Sequence, residues 1–287
     1  MFGYRHIFLN SLFHKLICNN KLLKNVMYKI IFSLLIVIPL FAQTDSLPDF
    51  NFKKYYDDFG VEGCFLLYDL NNNILINYNS ERCSERFIPA STFKIFNSMA
   101  ALESGVIKDQ NEIIKWDSVK RFYDKWNQDL DMRKAFKFSA VWFYQELARR
   151  IGEKKMQKFI NENNYGNMNI SGGIDHFWLD GELRISPIQQ LEFLKKLYSN
   201  NLKFSERSQN IVKEIMLYEE GDNYKIRAKT GWGMRFDDQI GWFVGWVEKN
   251  NNVYFFVNNC QTNNPGEGYP SRIEITRKIL SELRILP

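Results

Sequence analysis

Ser91-Thr92-Phe93-Lys94 sets a hydroxyl and an amine three residues apart. On a helix, positions i and i+3 share a face, so Ser91 Oγ and Lys94 Nζ can meet. The chemistry such a pair supports is nucleophilic. A serine hydroxyl attacks an acyl carbon only with a base beside it, and a lysine is that base only when its pKa falls from about 10.4 toward neutrality. Ala90, Phe93, Ile95 and Phe96 flank the pair, and desolvation by such neighbours favours the neutral amine. By itself the tetrad is weakly specific, because S-x-x-K arises by chance on many helices. Two further segments add weight: Ser139-Ala140-Val141 opens a helical stretch, and Lys229-Thr230-Gly231 ends a strand-like one. A small-residue edge strand ending in K-T-G lets a substrate backbone come close, while its Lys and Thr offer charge and hydrogen bonds to a carboxylate. Competing chemistries are poorly supplied. His6 and His14 fall near the N-terminus, which leaves His176 for the rest of the chain. One His and three scattered Cys do not make a zinc site, and no G-x-S-x-G elbow makes His176 a triad base. His176 reads as structural.

The elements that must carry these groups follow from the pattern. Gly63 to Leu70 and Ile74 to Asn79, around Asn71-Asn72-Asn73, predict a hairpin. Pro89 then precedes a helix over Ala90 to Ser104, with Gly105 as its C′ residue. Asp109 to Asn200 reads as mostly helical, clearest at Ala140 to Ile151, Glu153 to Asn163 and Pro187 to Tyr198; Ser205 to Tyr218 predicts another helix. Tyr224 to Gly231, Gln239 to Glu248 and Asn252 to Asn259 are β-branched and aromatic strands, and Ile273 to Leu283 closes the chain as a helix. Strands at both ends of a helical middle predict an α+β fold whose first and last segments share one sheet.

S-x-x-K, S-x-V and K-T-G in this order are the signature of penicillin-recognising serine acyl transferases. From about Gly60 to the C-terminus the sequence resembles the class D, oxacillinase-type serine β-lactamases. The resemblance rests on Pro89-Ala90-Ser91-Thr92-Phe93-Lys94, Ser139-Ala140-Val141, Tyr165-Gly166-Asn167, Phe177-Trp178-Leu179, Lys229-Thr230-Gly231-Trp232 and Gly241 to Trp246. It implies a serine β-lactamase/penicillin-binding transpeptidase-like fold: an antiparallel sheet flanked by helices, with a helical subdomain at about 106–202 inside a single catalytic domain, 43–287. The implied activity is hydrolysis of β-lactam antibiotics. Ser91 would be acylated, and Lys94 would carry CO2 as an N-carboxylate, the general base for acylation and deacylation; no other cofactor is implied. Trp178 would hold the carbamate through its indole N–H, Val141 and Leu179 would wall it off from water, and Ser139 would relay a proton to the lactam nitrogen. The backbone N–H groups of Ser91 and Trp232 would form the oxyanion hole beside Gly231. Lys229, Thr230 and Arg272 would engage the substrate carboxylate, Arg272 being preferred to Arg235. Tyr165-Gly166-Asn167 reads more readily as a loop turn than as a catalytic element. A β-lactam sensor and a transpeptidase or carboxypeptidase are the other functions that share these motifs. The substrate range and the oligomeric state are not legible.

The chain has 287 residues with 38 Lys plus Arg against 33 Asp plus Glu, a net charge of +5. Residues 1–42 hold five basic residues, Arg5, Lys15, Lys21, Lys24 and Lys29, and no acidic one, so 33 of each remain after them. The surplus therefore belongs to the leader and argues for no nucleic-acid partner. Ile30 to Phe41 is an apolar stretch broken only by Ser33 and Pro39; it follows Lys29 and precedes Ala42 and a polar run. That is the layout of a secretory signal peptide with cleavage expected after Ala42, and it predicts a periplasmic or secreted protein without stable membrane insertion. An uncleaved anchor is the alternative. A leader beginning at Met27 has the usual compact length, so Met27 is the expected start. Cys18 falls in the leader; for Cys64 and Cys83 the spacing is compatible both with a disulfide and with two buried thiols.

Overall fold

In a computed structural model that describes residues 50–233, 239–262 and 265–287, a short helix α1 (Lys53–Asp57) leads into the hairpin β1 (Glu62–Asp69) and β2 (Ile74–Tyr78). The leader over 1–42, its cleavage position, Met27, Cys18 and Arg235 lie outside the described residues. Asn73 takes a positive φ of 53° at the hairpin turn, and Asp69 Oδ1 accepts from the Asn72 N–H at 3.1 Å. Helix α2 (Ser80–Ser84), capped by Asn79, follows, and then the first motif: a 3-10 turn over Ala90–Phe93 that continues as α3 (Lys94–Ser104). Gly105 ends α3 with φ 74°, the left-handed cap that the sequence pattern calls for.

The middle of the chain supplies α4 (Met132–Lys137), α5 (Val141–Ile151), α6 (Glu153–Glu162), α7 (Pro187–Tyr198) and α8 (Glu206–Ile215). Residues 109–131 depart from the helical expectation. Asp109, Asp117, Asn127 and Asp129 accept from the backbone N–H groups of Asn111, Val119, Arg121 and Trp116, at 2.8 to 3.1 Å. Such side chains offer the backbone an alternative to the helical ladder, and the segment is closed instead by an Ile114–Leu130 bridge. The second departure is the helix expected to run to Tyr218. It stops at Ile215, and Leu217–Glu220 becomes strand β3, because the edge of the sheet provides Arg227, Ile226 and Lys225 as pairing partners.

Strands β4 (Tyr224–Gly233), β5 (Gln239–Lys249) and β6 (Asn252–Thr262) complete a six-stranded sheet, and α9 (Pro265–Glu282) closes the chain. The order is β2-β1-β6-β5-β4-β3, with every pairing antiparallel. Both ends of the chain thus meet in one sheet, as the sequence predicts. One face, carrying Leu66, Trp242, Val244 and Val257, packs on the helical middle, where Tyr198 meets Trp246 and Phe255 edge-on at 5.7 and 5.5 Å. The other face receives α1 and α9: Tyr56 Oη donates to Asn258 Oδ1 at 2.9 Å, and Asn258 Nδ2 donates to Thr276 Oγ1 at 3.0 Å. Strand β4 is an edge for part of its length. Its pairing with β3 ends at Arg227, so Lys229-Thr230-Gly231 runs past its neighbour on that side.

Cys64, Cys83 and Cys260 are buried free thiols, and burial raises the pKa of Cys64 and Cys260. No helix among the described residues is long and apolar enough to cross a membrane.

Gly166 sits at φ 59°, where a Cβ would overlap the Arg184 carbonyl; Gly60 has the same φ with open space around it. Both carry the cost of a left-handed alanine, about 1–2 kcal/mol, but only Gly166 adds a backbone clash. We predict that Gly166→Ala loses at least about 2 kcal/mol more than Gly60→Ala in urea denaturation. Equal losses would show that the loop shifts without cost.

Candidate active site

The site grows from the first motif outward. Phe93 and Phe96 stack on each other at 5.5 Å and anchor the 3-10 turn and α3 in an aromatic cluster with Tyr165, Phe177 and Trp178. Tyr165 brings the Tyr-Gly-Asn loop into this cluster, and Asn167 ties the loop to the Glu182 carbonyl and the Arg184 N–H at 2.8 and 3.0 Å. That loop is a packing element. With its neighbours filled by rings, Lys94 is fully buried and its Nζ lies 2.7 Å from Ser91 Oγ. The Tyr144 ring is 5.4 Å from the same Nζ. Burial brings the Lys94 pKa down from 10.5 to about 7. The amine beside the hydroxyl is therefore neutral for much of the time near neutrality.

Trp178 stacks on Phe93 at 5.3 Å and is fully buried, and its Nε1 has no hydrogen-bond partner among the described residues. A buried unpaired donor costs about 1–3 kcal/mol, so this N–H marks a place where an acceptor belongs.

The second motif is held by α3 itself. Asn97 Nδ2 donates to the Tyr144 carbonyl at 3.0 Å, and the Ser98 and Tyr144 hydroxyls are 2.9 Å apart, which locks α5 to α3. Just before α5, Ser139 has φ 55°. The Ser139 N–H bonds the Phe136 carbonyl and the Ala140 N–H bonds the Ala135 carbonyl, at 3.1 and 2.8 Å. This is a Schellman end to α4, with a serine at the left-handed position that usually takes glycine. The conformation is strained for serine, and it fixes Ser139 Oγ 3.0 Å from Lys229 Nζ.

Lys229 arrives on β4 and is nearly fully buried; burial, with Lys94 and Arg272 nearby, lowers its pKa well below its ordinary value. Gly231 lets this strand come close to the turn that carries Ser91, since a Cβ there would stand 3.1 Å from both the Pro89 carbonyl and Thr92 Cγ2. Arg272, from α9, places its guanidinium 5.2 Å from the Trp232 ring centre.

One cavity of about 490 Å³ is lined by Ser91, Ser139, Val141, Leu179, Thr230, Gly231, Trp232 and Arg272. Lys94 and Lys229 stand against it through Ser91 and Ser139, and Trp178 lies behind the first motif through Phe93. The sequence-predicted site residues therefore converge. Phe122, Tyr123, Trp126, Lys137 and Phe138 line the same cavity and were not among them. Their signal was the crowding of aromatics among charges in Arg121-Phe122-Tyr123-Asp124-Lys125-Trp126, an odd composition for a loop. Trp126 fixes that loop by donating from Nε1 to the Phe138 carbonyl at 2.9 Å.

Residues 42–281 match the family described as Penicillin binding protein transpeptidase domain. β-Lactamase OXA-48 of Klebsiella pneumoniae is 44% identical over 237 residues, which are 83% of this chain and 89% of that protein. The chain belongs to the class D β-lactamases. The solved structure of a class D β-lactamase YbXI from Nostoc superposes with a TM-score of 0.80 at 47% identity, over 82% of this chain and 99% of that one. FUS-1 (OXA-85), a class D β-lactamase from Fusobacterium nucleatum subsp. polymorphum, gives 0.79 at 39% identity over 82% and 98%. The enzyme is accordingly a serine β-lactamase with a penicillin-binding transpeptidase-like fold.

A lowered lysine pKa has a signature in stability. The unfolded chain keeps its Lys94 proton up to about pH 10.5 and the folded one releases it at about 7, so stability rises with pH between those values. Lys94→Met removes this dependence. We predict that the stability of the parent minus that of Lys94→Met increases by on the order of 4 kcal/mol from pH 7 to 10.5 in carbonate-free buffer, at about 1.36 kcal/mol per pH unit. A flat difference would show that Lys94 is not desolvated.

Proposed function

We propose that this class D enzyme binds penicillins and hydrolyses β-lactam antibiotics through an acyl-enzyme on Ser91, with Lys94 N-carboxylated by CO2. That group would supply the general base for acylation and deacylation. The observation that carries the proposal is the buried amine of Lys94, brought to about 7 and 2.7 Å from Ser91 Oγ, because only a neutral amine takes up CO2. The unpaired, buried Nε1 of Trp178 fits the same reading, since a carboxylate on Lys94 would give that donor an acceptor.

The remaining residues have roles that follow from their chemistry. Arg272, Lys229 and Thr230 receive the substrate carboxylate and orient the lactam carbonyl toward Ser91. The backbone N–H groups of Ser91 and Trp232 stabilise the oxyanion that forms as Ser91 Oγ attacks. Ser139 Oγ passes a proton to the lactam nitrogen as the ring opens. Lys229, 3.0 Å behind it and with a lowered pKa, is suited to replenish that proton. Val141 and Leu179 flank the cavity and limit water at the base. The signal-like leader supports export to the periplasm or medium, where its substrates are met.

The reading predicts sustained turnover of a chromogenic cephalosporin, abolished in Ser91→Ala. A stoichiometric burst with no steady state would assign the chain to sensing or transpeptidation instead. Trp178→Phe keeps the ring against Phe93 and removes the donor. We expect it to lower kcat about 10- to 100-fold, with partial recovery on adding bicarbonate. A loss indifferent to bicarbonate would sink the role given to its N–H.

A further inference from the structure

The inner end of the cleft is cationic through Arg272, which suits the ring carboxylate. The outer end is cationic as well. Lys137, in the last turn of α4 and two residues before Ser139, lines the same cavity as Ser91 and is exposed. No carboxylate pairs with it among the described residues. On the same helix Arg133 is paired with Glu214 at 2.7 Å, and in the preceding loop Lys115 is paired with Asp129 at 2.6 Å. A second amine stands at the same lip, where Lys125 Nζ is 5.3 Å from the ring centre of Phe138. Among the described residues that line the cavity there is no Asp or Glu. This polarity is local, since acids and bases balance over the sequence after residue 42. Beside Lys137 stand Phe122 and Tyr123, 83% and 38% exposed, an apolar wall that turns outward at the cleft mouth.

We propose that Lys137, with Phe122 and Tyr123, forms an outer subsite for an acidic substituent on the acyl side chain of the β-lactam. A substrate with one carboxylate on its ring and a second carboxylate or sulfonate on its side chain meets a cation at each end of the cleft, with Ser91 between. The aromatic wall takes the body of the side chain, and its low dielectric strengthens the attraction at the lip. The α4 terminus gives the amine a fixed origin, because the strained Ser139 sets where the helix ends. The inference rests on the hydrolytic reading above.

The test compares benzylpenicillin with its α-carboxy and α-sulfo analogues, which share one frame and differ by one charge. The readout is the ratio of kcat/KM for each acidic analogue to that for benzylpenicillin. Lys137→Gln is expected to lower both ratios about 3- to 10-fold, Lys137→Glu to lower them further, and Lys137→Arg to keep them. The parent ratio should fall with added salt, and the Lys137→Gln ratio should fall less. Lys134→Gln, which removes an exposed charge of the same helix that does not line the cavity, is expected to leave the ratio in place. An unchanged ratio in Lys137→Gln, or an equal fall in Lys134→Gln, would overturn the subsite. Should the enzyme acylate without turning over, the same ratios are read from second-order acylation rates of Ser91 by mass spectrometry. Failure of hydrolysis and failure of the subsite are thereby separated.

Discussion

The structure depends on keeping one amine dry. An ammonium buried without a counter-charge is expensive, and a lysine in that position answers by giving up its proton. Lys94 is placed where it must do so, and much of the fold serves that placement. Phe93, Phe96, Phe177 and Trp178 fill the space that water would take, and Tyr165 is drawn in by a loop whose shape Gly166 makes feasible. Five of the chain's aromatic rings are thus gathered where they keep one amine out of water.

Around that amine three chain segments meet that share no local sequence. They are fixed by different forces: packing of rings for the first motif, hydrogen bonds from α3 to Tyr144 for the second, and the close approach of β4 at Gly231 for the third. Two of the strained backbone positions lie at the candidate site. Ala90, next to Ser91, and Ser139 both take positive φ, at 47° and 55°. Neither is a residue type chosen for that conformation, so the surrounding contacts hold them there.

What could be read from the sequence follows from these forces. Ser91 and Lys94 were legible because their meeting needs only one helical turn, and the hairpin and the three late strands because alternation and Asn/Asp turns are local signals. Class-level likeness extended this to Trp178 and Arg272, whose placement depends on partners far away in the chain. Residues 109–131 were misread because their aromatics imitate a helical period while Asp and Asn capture the backbone N–H groups that a helix would need. Strand β3 was missed because a short edge strand is decided by the partner it finds, and β4 seemed a free edge because that partner was missing. The aromatic lip of the cleft showed only as an odd composition, because nothing in Phe122 or Tyr123 says which cavity they border.

The serine at position 139 has an evolutionary consequence. Its helix end would be more comfortable with glycine, so, given the proton relay proposed for Ser139 Oγ, pressure toward heat resistance would pull this codon in one direction and pressure toward turnover in the other. A lineage passing through hot or denaturing surroundings would be drawn toward a hardier protein that has lost the hydroxyl facing Lys229.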